Sequence, residues 1–238
     1  MSVVHIWVLL LVTMQILDSP RSVQAHTTTL IAQYERSVDN DGELEFTSGT
    51  IYFMYPNMMH LVVLKPERQH IQVFDNKMTI YFPQHRKLFI IHSKHSIELP
   101  LLPAFLLATK EDYGLSDQGY RLRGYRREAD TIETTWEPIQ VEGNVSRRAI
   151  LRNLGKKVLS IEVDDMDKHS HVSVALDSFT RTPDNEWFPQ MILLTKQSDK
   201  LVYREVVVLK EIQFNRVLPD SVVGFQVPEG TDRKDIDW

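Results

Sequence analysis

Gly49-Thr-Ile-Tyr-Phe-Met-Tyr-Pro56-Asn57-Met-Met-His-Leu-Val-Val-Leu64, followed by His70-Ile-Gln-Val-Phe-Asp75-Asn76-Lys77-Met-Thr-Ile-Tyr-Phe82, decides the fold. Apolar runs of strand length are separated only by Pro-Asn, Lys-Pro-Glu-Arg and Asp-Asn-Lys. Connections this short leave no room for helical crossovers, so the segment predicts an antiparallel meander. Successive side chains of a strand point to opposite faces. The odd positions Ile51, Phe53, Tyr55, Met59, Leu61 and Val63 are all apolar or aromatic, and Ile71 and Val73 extend the same face. The even positions mix Thr50, Tyr52, His60 and His70 with Met54, Val62 and Leu64. One face is therefore expected to be concave and apolar. An ordinary β core and a cavity for acyl chains demand the same residues, and alternation does not separate them.

Outward from this meander, strand patterns fall at Thr28 to Arg36, Lys87 to Ile91, Tyr120 to Tyr125 and Thr131 to Glu137. Further ones fall at Val158 to Val163, His171 to Phe179, Trp187 to Thr195 and Leu201 to Phe214. Val145 to Lys157 reads either as a basic amphipathic helix or as a strand and turn. The pattern breaks at Leu99-Pro100-Leu-Leu-Pro103-Ala-Phe-Leu-Leu107-Ala108. Pro103 suits the first turn of a helix, so Ala104 to Lys110 is expected to be a short apolar helix. A soluble protein would not leave such a patch exposed. Leu101 to Leu107 is therefore expected to lie over the concave face as a lid, with Leu102, Phe105 and Leu106 pointing inward. The fold class predicted is mainly β (α+β): an antiparallel incomplete barrel, or half-barrel, covered by one or a few short helices.

Residues 1–25 read as a cleavable signal peptide. Val3 to Leu17 is almost continuously apolar but short for a membrane span, and Val23-Gln24-Ala25 offers a small-x-small cleavage site. Residues 26–238 then form a single domain. The segment removed carries one acid, Asp18, and one base, Arg21, so the net charge of −5 is unchanged. That mild acidic balance argues against a nucleic-acid partner. The chain has no Cys, so neither disulfides nor a lipid-attachment cysteine exist and the core alone must hold the fold.

His169 and His171 beside Asp164, Asp165 and Asp167 admit a metal site, but Asp-Asp-Met-Asp-Lys-His reads better as a polar hairpin turn, and no metal is expected. Arg121, Arg123, Arg126 and Arg127 form one basic cluster and Arg147, Arg148 and Arg152 another. A solvated strand face is the default for both, and anionic lipid heads or an acidic partner the alternative. No nucleophile elbow, phosphate loop or zinc-ligand spacing occurs, so neither catalysis nor a cofactor is expected.

Taken in order, Gly-Thr-Ile-Tyr-Phe-x-x-Pro-Asn, a second apolar strand, a third ending near Lys77, Ile80-Tyr-Phe82 and the Leu-Pro-Ala-Phe-Leu-Leu-Ala segment resemble the LolA-type outer-membrane lipoprotein carriers. The C-terminal part, with Trp187-Phe-Pro189, Leu218-Pro219-Asp220, Phe225 and Pro228-Glu-Gly230, resembles the broader lipoprotein-sorting superfamily. The resemblance covers about residues 27 to 232. It implies a half-barrel closed by helices that works as a monomer in the periplasm, taking acylated lipoprotein or lipid cargo from an inner-membrane release complex to an outer-membrane acceptor. It implies a lipid-binding face of Ile51, Phe53, Tyr55, Met59, Leu61, Val63 and Ile71 beneath Leu102, Phe105 and Leu106. Where that family has Arg just before the hairpin Pro, this chain has Tyr55, and cleavage after Ala25 would leave almost no chain for the helix with which that family starts. The alternatives are an RseB-like regulatory domain, which would carry an extra domain, and an exported β protein whose cavity is filled by its own side chains.

Overall fold

The computed structural model describes residues 28–55, 58–74, 76–93, 105, 107–139, 147–165, 169–198 and 201–237. The signal-peptide segment, the Pro56-Asn57 turn, Leu102, Leu106 and most of the expected lid lie outside them.

Among the described residues fourteen strands run in chain order, beginning with β1 (Thr29–Asn40), β2 (Glu43–Met54), β3 (Met58–Lys65), β4 (Gln69–Phe74), β5 (Lys77–Phe82), β6 (Lys87–His92) and β7 (Tyr120–Glu128). β8 (Thr131–Pro138), β9 (Arg147–Leu154), β10 (Lys157–Asp165), β11 (Ser170–Arg181), β12 (Trp187–Ser198), β13 (Leu201–Phe214) and β14 (Asp232–Asp237) follow, with a short helix α1 (Asp220–Val223) between the last two. All join one sheet in the order β14-β6-β5-β4-β3-β2-β1-β13-β12-β11-β10-β9-β8-β7. Every pairing is antiparallel except that of β14 with β6. The sheet stays open rather than closing into a barrel, which makes the fold a mainly-β half-barrel.

The meander forms as its parity dictates. Ile51 lies opposite Leu61 and Phe53 opposite Met59, and Leu61 in turn faces Ile71. A shift of one residue would turn the whole set outward. Ile51, Phe53, Met59, Leu61 and Val63 are buried, and Ile71 is partly buried. Most of them belong to one large cluster with Leu30 and Ala32 of β1, Leu151 of β9, Ile161 of β10, Ile192 of β12 and Leu209 of β13. The ambiguous stretch after Val145 is strand and turn: β9 and β10 pair around Gly155, whose φ of 58° suits glycine. Ile150 is β-favouring, and tertiary pairing on both sides outweighs the helical preference of Leu151 and any helical pattern in the arginines.

Beyond β6 the chain crosses to the concave face. Phe105 and Leu107 have helical backbone, and turns continue to Gly119. Phe105, Ala108, Tyr113 and Leu115 are buried against the sheet, and Tyr120 leads into β7.

The opposite, convex face of β2–β6 is covered by the C-terminal segment. Tyr81, Leu88 and Ile90 form a second small cluster with Phe225 and Val227. Arg86 fastens this strap, donating to the Glu229 carbonyl at 2.9 Å and accepting from the Asp232 N–H at 2.8 Å. β14 then pairs alongside β6 as an edge strand.

Candidate functional site

The concave face is lined by alternating strand residues and packed by Phe105 and its neighbours. Phe105 is fully buried and stacks on Phe188 of β12, with ring centroids 5.6 Å apart and planes at 17°. Phe188 meets Phe214 of β13 edge-on at 5.2 Å. Offset stacking and T-shaped contacts of this kind are favoured by the ring quadrupoles. Phe105 shares its cluster with Ile51, Phe53, Met59, Leu61 and Ile71. Val63 is buried at the β3 end but lies outside that cluster. Tyr55 sits in the turn after β2, is 42% exposed, and donates its N–H to the Thr28 carbonyl. Leu102 and Leu106 lie outside the described residues.

One end of this apolar face is polar. Arg36 of β1 donates to Glu205 of β13 at 2.5 Å and to the Tyr203 hydroxyl at 3.2 Å, and Tyr203 donates to the other Glu205 oxygen at 2.7 Å. Glu205 is buried. Burial first, then the bond to Glu205, pushes the Tyr203 phenol well above its usual value. Burial also raises the nearby Tyr34 to about 12. Both phenols therefore stay neutral, and the buried charges of this end are confined to the Arg36–Glu205 pair. Sequence pattern did not reveal the trio, because Arg36 and Glu205 are far apart in the chain and meet only through the pairing of β1 with β13.

The convex face holds a second apolar site beneath the C-terminal strap. Met54, Met58, Phe74, Val222, Val223 and Phe225 line a cleft of about 390 Å³. Beside it, His60 is 1% exposed, and its Nε2 lies 3.2 Å from Nδ1 of His70. Phe225 stacks on His70 at 4.5 Å and meets His60 edge-on at 5.1 Å. Burial, then the proximity of His70, pulls His60 down to about 4, against the backbone of Val222, which favours the proton. His70 is also lowered, by burial and by Arg68.

At the ends of β10, β11 and β12, Asp164, Asp165, His169 and His171 border a polar recess of about 570 Å³. Asp164 and His171 are cross-strand partners in the β10–β11 hairpin, with Nδ1 of His171 2.7 Å from the carboxylate, and Arg148 lies 3.3 Å from the same group. The His171 bond, and then Arg148, hold Asp164 below the usual carboxylate range. Asp165 pairs with Arg147 at 3.1 Å. Among the described residues no group of three or more His, Cys, Asp or Glu side chains could hold a metal ion. Asp167 lies outside them.

The fold is an open antiparallel sheet with an apolar, well-packed concave face, and comparison with solved structures agrees on that fold. The chain is similar to a DUF1329 family protein from Desulfovibrio piger (TM-score 0.53, 11% identity, 83% of this chain and 90% of that one). It is similar to a LolA superfamily protein from Nitrosomonas europaea (TM-score 0.51, 12% identity, 82% and 90%). A domain of an outer membrane lipoprotein-sorting protein from Vibrio parahaemolyticus matches at TM-score 0.50 and 9% identity, over 81% and 88%. The chain has a LolA-like fold. No protein-family model matches its sequence, and no curated protein matches it either. No helix among the described residues is long and apolar enough to cross a membrane.

Proposed function

We propose that this chain is a periplasmic carrier that holds the acyl chains of lipoproteins, or of a related lipid, against its concave face and moves them toward the outer membrane. It binds rather than catalyses, needs no cofactor and acts as a monomer on its cargo. Ile51, Phe53, Met59, Leu61, Val63 and Ile71 form the floor. Leu102, Phe105 and Leu106 belong to the cover, and Tyr55 stands at the rim. Loading from an inner-membrane release complex and delivery to an outer-membrane acceptor complete the cycle.

The observation that carries this reading is the way Phe105 is held. Its ring is buried by stacking on Phe188 and by apolar neighbours. Contacts of that kind are non-directional, so an acyl chain can replace them without leaving a polar group unpaired. Burying a chain of about 16 carbons is worth roughly 12 kcal/mol at about 0.8 kcal/mol per CH₂. A carrier must also release it. A cover that already fills the trough lowers the net affinity, because cargo displaces contacts already made.

The test is to purify residues 26–238, extract the protein with organic solvent and identify bound lipid by mass spectrometry. Transfer of acylated cargo between donor and acceptor vesicles is then measured. The expected result is acyl lipid recovered from the protein and carried between vesicles. If it neither retains nor transfers acylated cargo, the trough is a filled core and the proposal fails.

A further inference from the structure

Among the described residues β7 is one of the two terminal strands of the sheet, and eight of its nine residues are exposed. One side of this strand is basic, and the other carries Leu122 and Tyr125 together with Arg127, which lies opposite Ile132 at its far end. Arg121 lies opposite Glu137, and Arg126 opposite Glu133. Arg123, the extra residue at a bulge, donates to Glu137 at 2.5 Å. Glu133 continues the convex-side row to Arg152, which also bonds Glu162. On the concave side, Leu122 lies opposite Trp136, which packs on the core, and Tyr125 lies opposite Thr134, itself opposite the buried Leu151. Leu122 is 50% exposed and Tyr125 78%.

We propose that this edge docks an extended protein segment in which carboxylate and apolar residues alternate, adding it as a further strand. An edge strand presents unpaired backbone N–H and C=O groups, and main-chain pairing with an added strand supplies affinity. Alternate side chains of the guest fall on opposite faces, so one set meets Arg121, Arg123 and Arg126 and the other meets Leu122 and Tyr125. The arginines lie on the outer strand, and the carboxylates that now face them are Glu133 and Glu137, one strand further in, and Glu128 at the end of β7 itself, 3.3 Å from Arg126. A guest carboxylate therefore competes with exposed ion pairs, which are weak. Arg121 has no carboxylate partner among the described residues. Edge charges also deter indiscriminate strand pairing, but Tyr125 and Leu122 would do the reverse, and the two together select rather than repel. An anionic lipid surface fits less well. It offers no backbone to the edge, and the interleaved glutamates would face its headgroups. The inference is independent of what the concave face holds.

The experiment measures binding of a fluorescent peptide of alternating Glu and Val, nine residues long, to the whole protein by anisotropy. Three controls accompany it: a version N-methylated at alternate residues, a version with its glutamates grouped at one end, and phosphatidylglycerol vesicles as competitor. Binding should weaken at least tenfold on N-methylation, on grouping the glutamates, and in the triple variant R121E/R123E/R126E. It should weaken as salt rises and be unaffected by vesicles. Equal binding by either control peptide, or no binding by the alternating one, overturns strand addition. Displacement by vesicles assigns the arginines to a membrane and overturns it too. The control peptides leave the protein unchanged, so the result stands even if the triple variant does not fold.

Discussion

Phe105 and Phe188 lie almost parallel, 5.6 Å apart, and neither ring reaches solvent. One comes from the segment packed on the concave face and the other from β12, whose residues share the same core cluster. The stack thus ties the Phe105 segment to the sheet. It is made without a hydrogen bond between the two side chains, so an apolar group could replace either ring without leaving a polar atom unpaired.

Phe105→Ala should destabilise the protein by about 3–5 kcal/mol, the range for truncating a buried aromatic ring. Binding of a hydrophobic dye such as ANS to the folded variant should rise, because truncation exposes the trough. Urea denaturation and dye titration check both. A loss below about 1 kcal/mol would show that the ring does not secure the segment.

Gly49 sits opposite Tyr34 on one side and Val63 on the other. A Cβ there would lie 2.1 Å from the Val62 carbonyl oxygen and 2.9 Å from the Val63 Cα. Both atoms are backbone in a central strand, so neither can swing away. Gly49→Ala should cost about 3 kcal/mol or more, the scale of mutations that force a packed core to move. Gly42→Ala provides the comparison. Its φ is 91° but nothing lies within 4 Å of the added Cβ, so only backbone strain applies, on the order of 1–2 kcal/mol. Urea midpoints at unchanged m measure the difference. Equal losses would mean that β2 and β3 separate without penalty at the bulge beside Gly49.

The strands with a clear alternation were legible in the sequence, and so was the parity of Ile51 to Val63. Burial on one face writes itself into every second residue. β14 was not legible: Asp-Arg-Lys-Asp-Ile-Asp buries almost nothing and joins the sheet through backbone bonds to β6. The strap over the convex face left only scattered marks, Phe225 and Val227, because it is held by a few rings and by Arg86 rather than by a periodic face. His60 read as a polar member of a mixed face. What buries it, Phe225, is 165 residues further along the chain, and no local pattern marks that contact. Arg36 and Glu205 escaped for the same reason.

The His60–His70 pair gives stability a pH dependence of definite sign. His60 titrates near 4 in the folded protein, against a usual value of 6.5. The unfolded chain therefore binds the proton more readily, and the folded state loses stability as pH falls from about 6.5 toward 4. The contribution is fully present above pH 6.5 and amounts to about 3 kcal/mol at about 1.4 kcal/mol per pKa unit. His70 is lowered as well and adds in the same direction. His60→Leu should flatten the profile between pH 6.5 and 4 relative to wild type. Hydrogen exchange of residues 219–227, the strap packed on the pair, should quicken on acidification in wild type and change less in the variant. An unaltered pH profile in His60→Leu would assign the acid sensitivity to other groups.

Arg36 and Glu205 form the buried charge pair at the polar end of the trough, and the prediction for them turns on an asymmetry. Removing one partner strands a charge away from water. Glu205→Ala should cost about 3–5 kcal/mol, because Arg36 then keeps only the Tyr203 hydroxyl. Replacing both by apolar residues of similar length, Arg36→Met with Glu205→Leu, removes the desolvation penalty together with the attraction. Such swaps are often neutral or stabilising by about 1–4 kcal/mol. The double variant should therefore recover most of the loss of the single one in urea denaturation. Tyr203 keeps its hydroxyl in both, and its partners are the two residues replaced, so Tyr203→Phe should be worth about 1 kcal/mol in wild type and less in the double variant. If the double variant is as unstable as Glu205→Ala, the pair contributes net stability by itself. If it recovers, the pair adds little net stability over an apolar swap. Vesicle transfer by the stable double variant then distinguishes the two roles: unchanged transfer assigns the pair to the fold alone, and altered transfer assigns it to the polar end of the cargo.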